Sequence, residues 1–298
     1  MLFATMTNNI VSVFLMGGLG NQLFQLFTTI AYAMKTKRKF IFPYSEQLTV
    51  GTVRPTYWDD FLRSLFSFTN HPRNKNYANY NTNTIYQFPR YSEGGFRHSD
   101  IPDFDGKNIL LYGYYQSYKY FENEKKTILS FIQLKNHQRL IREEFPDILN
   151  NDVNVISMHF RLGDYKNIQD RHPLMTYEYY DKALEKIVEF RKNDINNVLY
   201  FCQEEDNEIV FLHISNLKVK YPRVEFIKVD DKIPDWKQMV IMSCCNDNII
   251  ANSTFSWWGA YFNENVDKVV CYPSNWFGVN LPHDVRDLFP SEWVKIVN

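Results

Sequence analysis

The sequence predicts an α/β protein with mainly parallel sheets, organised as two domains over 1–150 and 151–298. Three observations lead there. Apolar runs of strand length alternate with amphipathic runs of helix length, the signature of strands joined by helical crossovers. The alternation lapses in a polar stretch at 143–154, "EEFPDILNNDVN". It then restarts from a new apolar strand, which argues for a second sheet rather than a continuation of the first.

The elements follow in order. "NIVSVFL" at 9–15 reads as a buried strand, and 22–36 as a helix with Leu23, Phe27, Ile30 and Met34 on one face. A strand at 40–42 completes a βαβ unit. From 47 to 106 the chain is rich in Asn, Tyr, Pro and Arg with little periodicity, and reads as loops and short elements. A strand ending in aromatics follows at 108–121, then two helical stretches to about 144. Beyond the polar stretch come strands at 155–160, 198–201, 224–229, 248–251 and 269–272, interleaved with helices at 177–191, 208–217 and 236–244.

Bulk properties exclude several classes. Thirty-three basic against 34 acidic residues leave no whole-molecule field to gather nucleic acid or an anionic membrane, so any anion must be met locally. The cysteines Cys202, Cys244, Cys245 and Cys271 make no CxxC pattern, which points to reduced, buried thiols in a reducing compartment. The apolar patches near the N-terminus fall far short of the ~20 residues of a membrane span and lack a basic flank, so neither signal peptide nor anchor is expected, and a soluble cytoplasmic protein is.

Three stretches carry chemistry. In "FLMGGLGNQLFQ" a strand runs into a helix through a glycine turn, with Gly18 and Gly20 as the GxG pair that lets a ligand approach the backbone. A dinucleotide fingerprint needs a third glycine where Leu23 stands. The amides of Asn21 and Gln22 both donate and accept, which suits sugar hydroxyls, although Asn21 is also an ordinary helix cap. In "MHFRLGDYK", His159 and Arg161 sit where a strand ends, the edge of a parallel sheet at which ligands collect, and Asp164 can orient the guanidinium. In "IIANSTFSWWGAYF" an apolar strand delivers Asn252, Ser253, Thr254, Phe255 and Ser256 to a helix start whose N–H groups favour anions. Trp257 and Trp258 either wall that site or pack the sheet, with packing the better reading. Asn252-Ser253-Thr254 is also a glycosylation sequon, discounted without a secretion signal. Asp103-x-Asp105 precedes Gly106 and reads as a surface turn rather than a metal site.

Together "GGLGNQLFQ", "HFRLGDY" and "NSTFSWWGA", in that order, resemble the α-1,2-fucosyltransferase family, and "GYYQSYKYF", "IMSCCNDNIIANS" and "YPSNWF" extend the similarity over most of the chain. The resemblance implies GT-B architecture, two facing Rossmann-like domains: an N-terminal acceptor-side domain over 1–150 and a C-terminal GDP-fucose-binding domain over 151–298. It implies metal-independent, inverting transfer of L-fucose from GDP-β-L-fucose to a glycan hydroxyl, most often O2 of a terminal galactoside, in carbohydrate metabolism and protein glycosylation. On that carry-over Arg161 takes the diphosphate with support from His159, while Ser253, Thr254, Phe255 and Ser256 cradle phosphate or nucleoside. Gly18, Gly20 and Asn21 face the reaction centre, Asp164 is a second catalytic candidate, and Gln22, Tyr115 and Gln116 are the candidate acceptor contacts. GDP-fucose is then a substrate and no cofactor or metal is required. Two departures from the family pattern stand out: Leu162 replaces a second arginine, and Gln203-Glu204 replaces the usual Asp-Asp after the following strand. A catalytically silent nucleotide- or glycan-binding protein and, with less support, a nicotinamide-dependent oxidoreductase are the rival readings.

Overall fold

The computed structural model describes residues 8–77, 79–149 and 153–297. They form two compact units, 1–135 with 284–290, and 136–283 with 291–298.

The first unit is built on a four-stranded parallel sheet in the order β2-β1-β6-β5. Its strands are β1 (Ile10–Val13), β2 (Lys39–Phe40), β5 (Arg90–Ser92) and β6 (Ile109–Tyr112). Between β2 and β5 lie a small antiparallel pair, β3 (Gln47–Leu48) with β4 (Arg54–Pro55), and the short helix α2 (Thr82–Tyr86). The long helix α1 (Leu19–Lys35) follows β1, and α3 (Lys125–Phe131) follows β6. Because α1 is buried on nearly every side, its apolar residues run well beyond one stripe. β5 lies inside the aperiodic 47–106 stretch, and only Ile109–Tyr112 of the expected 108–121 strand is extended. The 102–107 turn is pinned by the buried Arg38, whose Nη2 meets Asp103 Oδ1 at 2.8 Å and Phe104 O at 2.6 Å.

The second unit begins with most of α4 (Leu134–Glu144). That helix is why the division falls after Lys135 instead of near 150. Gln138 Nε2 donates to Ser243 Oγ at 3.0 Å and Phe262 O at 3.1 Å, and Arg142 Nη2 to Cys244 O at 2.9 Å, so α4 belongs with the chain that follows. Residues 150–152, inside the polar stretch expected as the boundary, lie outside the described residues.

Six parallel strands follow: β7 (Val155–His159), β8 (Asn197–Phe201), β9 (Glu225–Lys228), β10 (Asp247–Ile249), β11 (Val270–Pro273) and β12 (Val294–Ile296). Their connecting helices are α5 (Tyr177–Phe190), α6 (Asn207–Lys220), α7 (Asp235–Cys244) and α8 (Thr254–Phe262). The sheet order is β12-β11-β10-β7-β8-β9, so the chain winds outward from β7 on one side, then returns and winds outward from β10 on the other. The strand order thus reverses between β7 and β10, and the carboxyl ends of strands flanking such a reversal are where open α/β sheets bind ligands. Ile156, Met158, Phe160, Leu162, Tyr179, Tyr180, Leu184 and Ile249 are among the apolar side chains buried in this unit's core. The four cysteines are free and buried.

Candidate functional site

Each unit presents its own sheet edge. In the second unit, β7 ends at His159 and the chain turns through Phe160–Leu162 into a short 3-10 turn, Gly163–Asn167. Arg161 leaves the sheet on this turn with one-fifth of its side chain exposed. Its Nη1 donates to Gln203 Oε1 at 2.5 Å, its Nη2 pairs with Asp164 Oδ1, and its guanidinium lies 4.8 Å over the Tyr165 ring. Three neighbours therefore fix the fork in one plane before any ligand arrives.

The turn is braced from below. Asp206, fully buried, accepts from the Gly163 amide at 2.8 Å and pairs with Lys166 Nζ at 2.5 Å. Gly163 has φ +38°, and a Cβ there would meet Gln203 Oε1 at 2.2 Å, so only glycine lets the β8 end approach the arginine. Leu162, the first departure noted in the sequence, is buried in the core, while Arg161 beside it keeps one-fifth of its side chain exposed. Gln203, the other departure, is a neutral partner of the guanidinium where a carboxylate would offset its charge.

β10 arrives next to β7 and delivers Asn252, Ser253 and the start of α8. Ser253 caps the helix, its Oγ accepting from the Phe255 amide at 3.3 Å, while the other first-turn amides lack intrahelical acceptors. Thr254 and Phe255 are half-buried. The His159 ring lies 5.6 Å from that of Phe255, which ties the two strand ends together. His159 is buried, its Nδ1 has no partner among the described residues, and burial first, then Arg161, holds its pKa down at about 3. It is thus a neutral imidazole at pH 7 and contributes a hydrogen bond, not a charge. Ser256 is buried and donates its hydroxyl to Ser253 O at 3.3 Å, so of the expected cradle it is a strut rather than a lining group. Trp257 and Trp258 are fully buried; Trp257 stacks on Tyr261 at 4.7 Å, the packing role preferred from sequence. Asn252 is also buried, with Nδ2 donating to Pro173 O at 2.9 Å, which closes it to glycosylation.

In the first unit the turn after β1 differs from the GxG expectation. The left-handed residue is Gly17, at φ +81°, where a Cβ would stand 2.5 Å from Asn21 Nδ2. Gly18 has ordinary dihedrals and open space beside it, and Gly20 is already inside α1. Asn21, half-buried in the first turn of that helix, accepts from Gln116 Nε2 at 3.0 Å. The Gln116 Oε1 is buried and without a partner among the described residues. These two amides, named separately in the sequence and 95 residues apart, are brought together by the fold.

Gln22 and Tyr115 are corrections. Gln22 is buried, and its Nε2 donates to Gly17 O at 3.0 Å and Pro55 O at 2.9 Å, so it braces the turn instead of meeting a ligand. Tyr115 is a left-handed residue at φ +53° whose ring is turned into the core, with its hydroxyl donating to Tyr91 O at 3.3 Å. Two residues went unnoticed in the sequence. Gln25 clamps the β1 turn to the β6 turn through Met16 N at 3.0 Å and Gly113 O at 3.2 Å; its i+3 spacing from Gln22 was the available signal. Glu93, at the end of β5, accepts from the Tyr114 and Tyr115 amides at 2.8 Å each, and no local pattern marks it.

The family model described as Glycosyl transferase family 11 matches residues 3–297. An Escherichia coli protein named O-antigen biosynthesis glycosyltransferase WbnK is 26% identical over 62% of this chain and 60% of its own length. An alpha-1,2-colitosyltransferase of Escherichia coli is 28% identical over 63% of each chain. The chain thus spans under two thirds of the curated relatives it matches. Among solved structures, a glycosyl transferase family 9 protein from Veillonella parvula DSM 2008 aligns with TM-score 0.51 and 12% identity, covering 97% of this chain and 87% of that one. POFUT1 in complex with GDP-fucose aligns with TM-score 0.50 and 14% identity, covering 89% and 98%. That likeness shows the fold, α/β units with parallel sheets of the GT-B kind. No helix among the described residues is long and apolar enough to cross a membrane.

Proposed function

We propose that this chain, which belongs to glycosyl transferase family 11, moves L-fucose from GDP-β-L-fucose to a glycan hydroxyl, O2 of a terminal β-galactoside, with inversion to an α-1,2 linkage. The observation that carries the reading is that a pre-oriented guanidinium follows β7 and the start of α8 follows β10, the neighbouring strands at which the order of the second unit's sheet reverses. A nucleoside diphosphate leaving group gathers negative charge as its bond to the sugar breaks, and donors aimed at that charge beforehand lower the barrier most.

In this reading Arg161 and the amides at the start of α8 receive the diphosphate. His159, neutral, supplies an N–H, and Phe255 offers an apolar face beside it. Asp164 holds the guanidinium and is not needed as the base, because its carboxylate is already engaged by Arg161. Charge on the departing nucleotide is thereby neutralised by protein groups, so the reaction proceeds without a divalent ion. Asn21 and Gln116 on the first unit position the acceptor hydroxyl through hydrogen bonds that neither protonate nor deprotonate it.

A second reading concerns the sugar. Colitose is fucose without the 3-hydroxyl, and the relative named for colitosyl transfer favours GDP-colitose as an alternative donor. The relative named for O-antigen biosynthesis favours a polysaccharide acceptor over a protein one. The test is to incubate the protein with each GDP-sugar and a panel of terminal β-galactosides, followed by mass spectrometry and linkage analysis. An added deoxyhexose or dideoxyhexose in α-1,2 linkage is expected; absence of both products across the panel overturns the reading.

A further inference from the structure

We propose that Glu93 is the general base that takes the proton of the acceptor hydroxyl, an assignment that rests on the glycosyl-transfer reading above. The case begins with its place. β5 ends at Ser92, and the Glu93 amide continues the ladder to Tyr112 O at 2.9 Å, so the side chain emerges at the carboxyl edge of the first sheet. There it bends over the end of β6. Gly113 permits this, since a Cβ at that position would lie 2.4 Å from Glu93 Cβ.

The two carboxyl oxygens are used differently. Oε2 accepts from both the Tyr114 and Tyr115 amides at 2.8 Å, which fixes the group rigidly. Oε1 accepts nothing from the described residues. Gly94 and Gly95, next along the chain, leave open space where side chains would stand. The same 113–116 strip carries Gln116, whose Nε2 reaches Asn21 and whose Oε1 is buried and unpartnered. Held carboxylate, unsatisfied amide oxygen and helix-start amide therefore share one backbone frame at one sheet edge. A hydroxyl placed there meets groups that can accept its proton and orient its oxygen.

The electrostatics agree. Burial raises the Glu93 carboxyl to about 7, against the smaller pull of the two amides. The groups facing it are phenols, Tyr115 and Tyr120, both pushed upward by burial and then by the carboxylate itself. Arg90, the nearest cation on β5, is stacked on the Tyr112 ring at 3.8 Å. A base with a pKa near the working pH is the most effective kind. In the step, the acceptor O–H gives its proton to Oε1 while the oxygen forms its bond to the sugar C1. The C1–O bond to the β-phosphate breaks, its electron pair leaves with GDP, and Glu93 afterwards returns the proton to water.

Glu93→Gln tests this, because glutamine keeps an oxygen for both amides while losing the titration. With the GDP-sugar and β-galactoside that serve the wild type, we expect kcat to fall about a hundredfold or more, with the thermal shift on adding GDP unchanged. The wild-type kcat should rise with pH through an apparent pKa near 7, and that limb should vanish in the variant. A raised carboxyl also costs stability as pH climbs from its unfolded value through the folded one, so above that range Glu93→Gln should melt no lower than wild type. A variant within threefold of wild type, or a wild-type profile flat between about pH 5 and 9, overturns the assignment. If the wild type itself transfers neither sugar to any member of the panel, the functional reading fails and this one falls with it.

Discussion

The two sheet edges solve opposite problems. At the second unit's edge a permanent cation is locked by a carboxylate, an amide oxygen and an aromatic face, beside a helix start rich in N–H groups. At the first unit's edge, among the described residues, no cation is locked in this way. Its polar groups are a pair of amides and a carboxyl raised toward neutrality by burial. The first arrangement is suited to a ligand that carries charge throughout, the second to a neutral hydroxyl that must lose a proton. Both edges rest on a residue that only glycine can occupy, Gly163 in one and Gly17 in the other, each letting a side-chain amide come against the backbone.

The contrast can be broken in graded steps. Arg161→Ala should have the largest effect, a loss of about 10²–10³ in kcat/KM of the kind seen when a donor to transition-state charge is removed, with little change in melting temperature because the side chain is partly exposed. Steady-state kinetics and a thermal melt check it together. Asn21→Ala should lower kcat by about tenfold to a hundredfold through lost positioning, while GDP binding by the second unit stays at wild-type strength. If GDP affinity falls as well, the division of labour between the edges is wrong. Gly163→Ala forces a strained dihedral and pushes Gln203 away from the guanidinium, with about 1–3 kcal/mol of strain to distribute. GDP should bind about tenfold more weakly there, and calorimetry reads it directly.

The placement of the second unit's strand-end residues was legible in sequence because each part is local: an apolar strand, then polar residues within a few positions, then a helix with its cap. His159, Arg161, Asp164, Ser253, Thr254 and Phe255 all lie on such junctions. The first unit was less so. Tyr115 follows a strand and reads as an edge residue, but its left-handed backbone turns the ring inward. Gln22 sits in an amide pair whose two members point to different sides of α1, one braced against Pro55 and the other meeting Gln116. Glu93 owes its environment to amides 21 and 22 residues away and lies in a stretch with no periodicity, so nothing near it in the chain announces a carboxylate under strain of burial. The division after Lys135 was hidden for the same reason, since what assigns α4 to the second unit is hydrogen bonding to α7 and α8 a hundred residues on.

The measurement that bears most directly on the central claim is a calorimetric titration of GDP into the wild type and into Arg161→Ala, both in EDTA. We expect the wild type to bind in the absence of any divalent ion and the variant to lose about tenfold or more in affinity, the worth of a charge-assisted pair of hydrogen bonds. Equal binding by the two proteins, or wild-type binding that appears only when a divalent ion is restored, would contradict it.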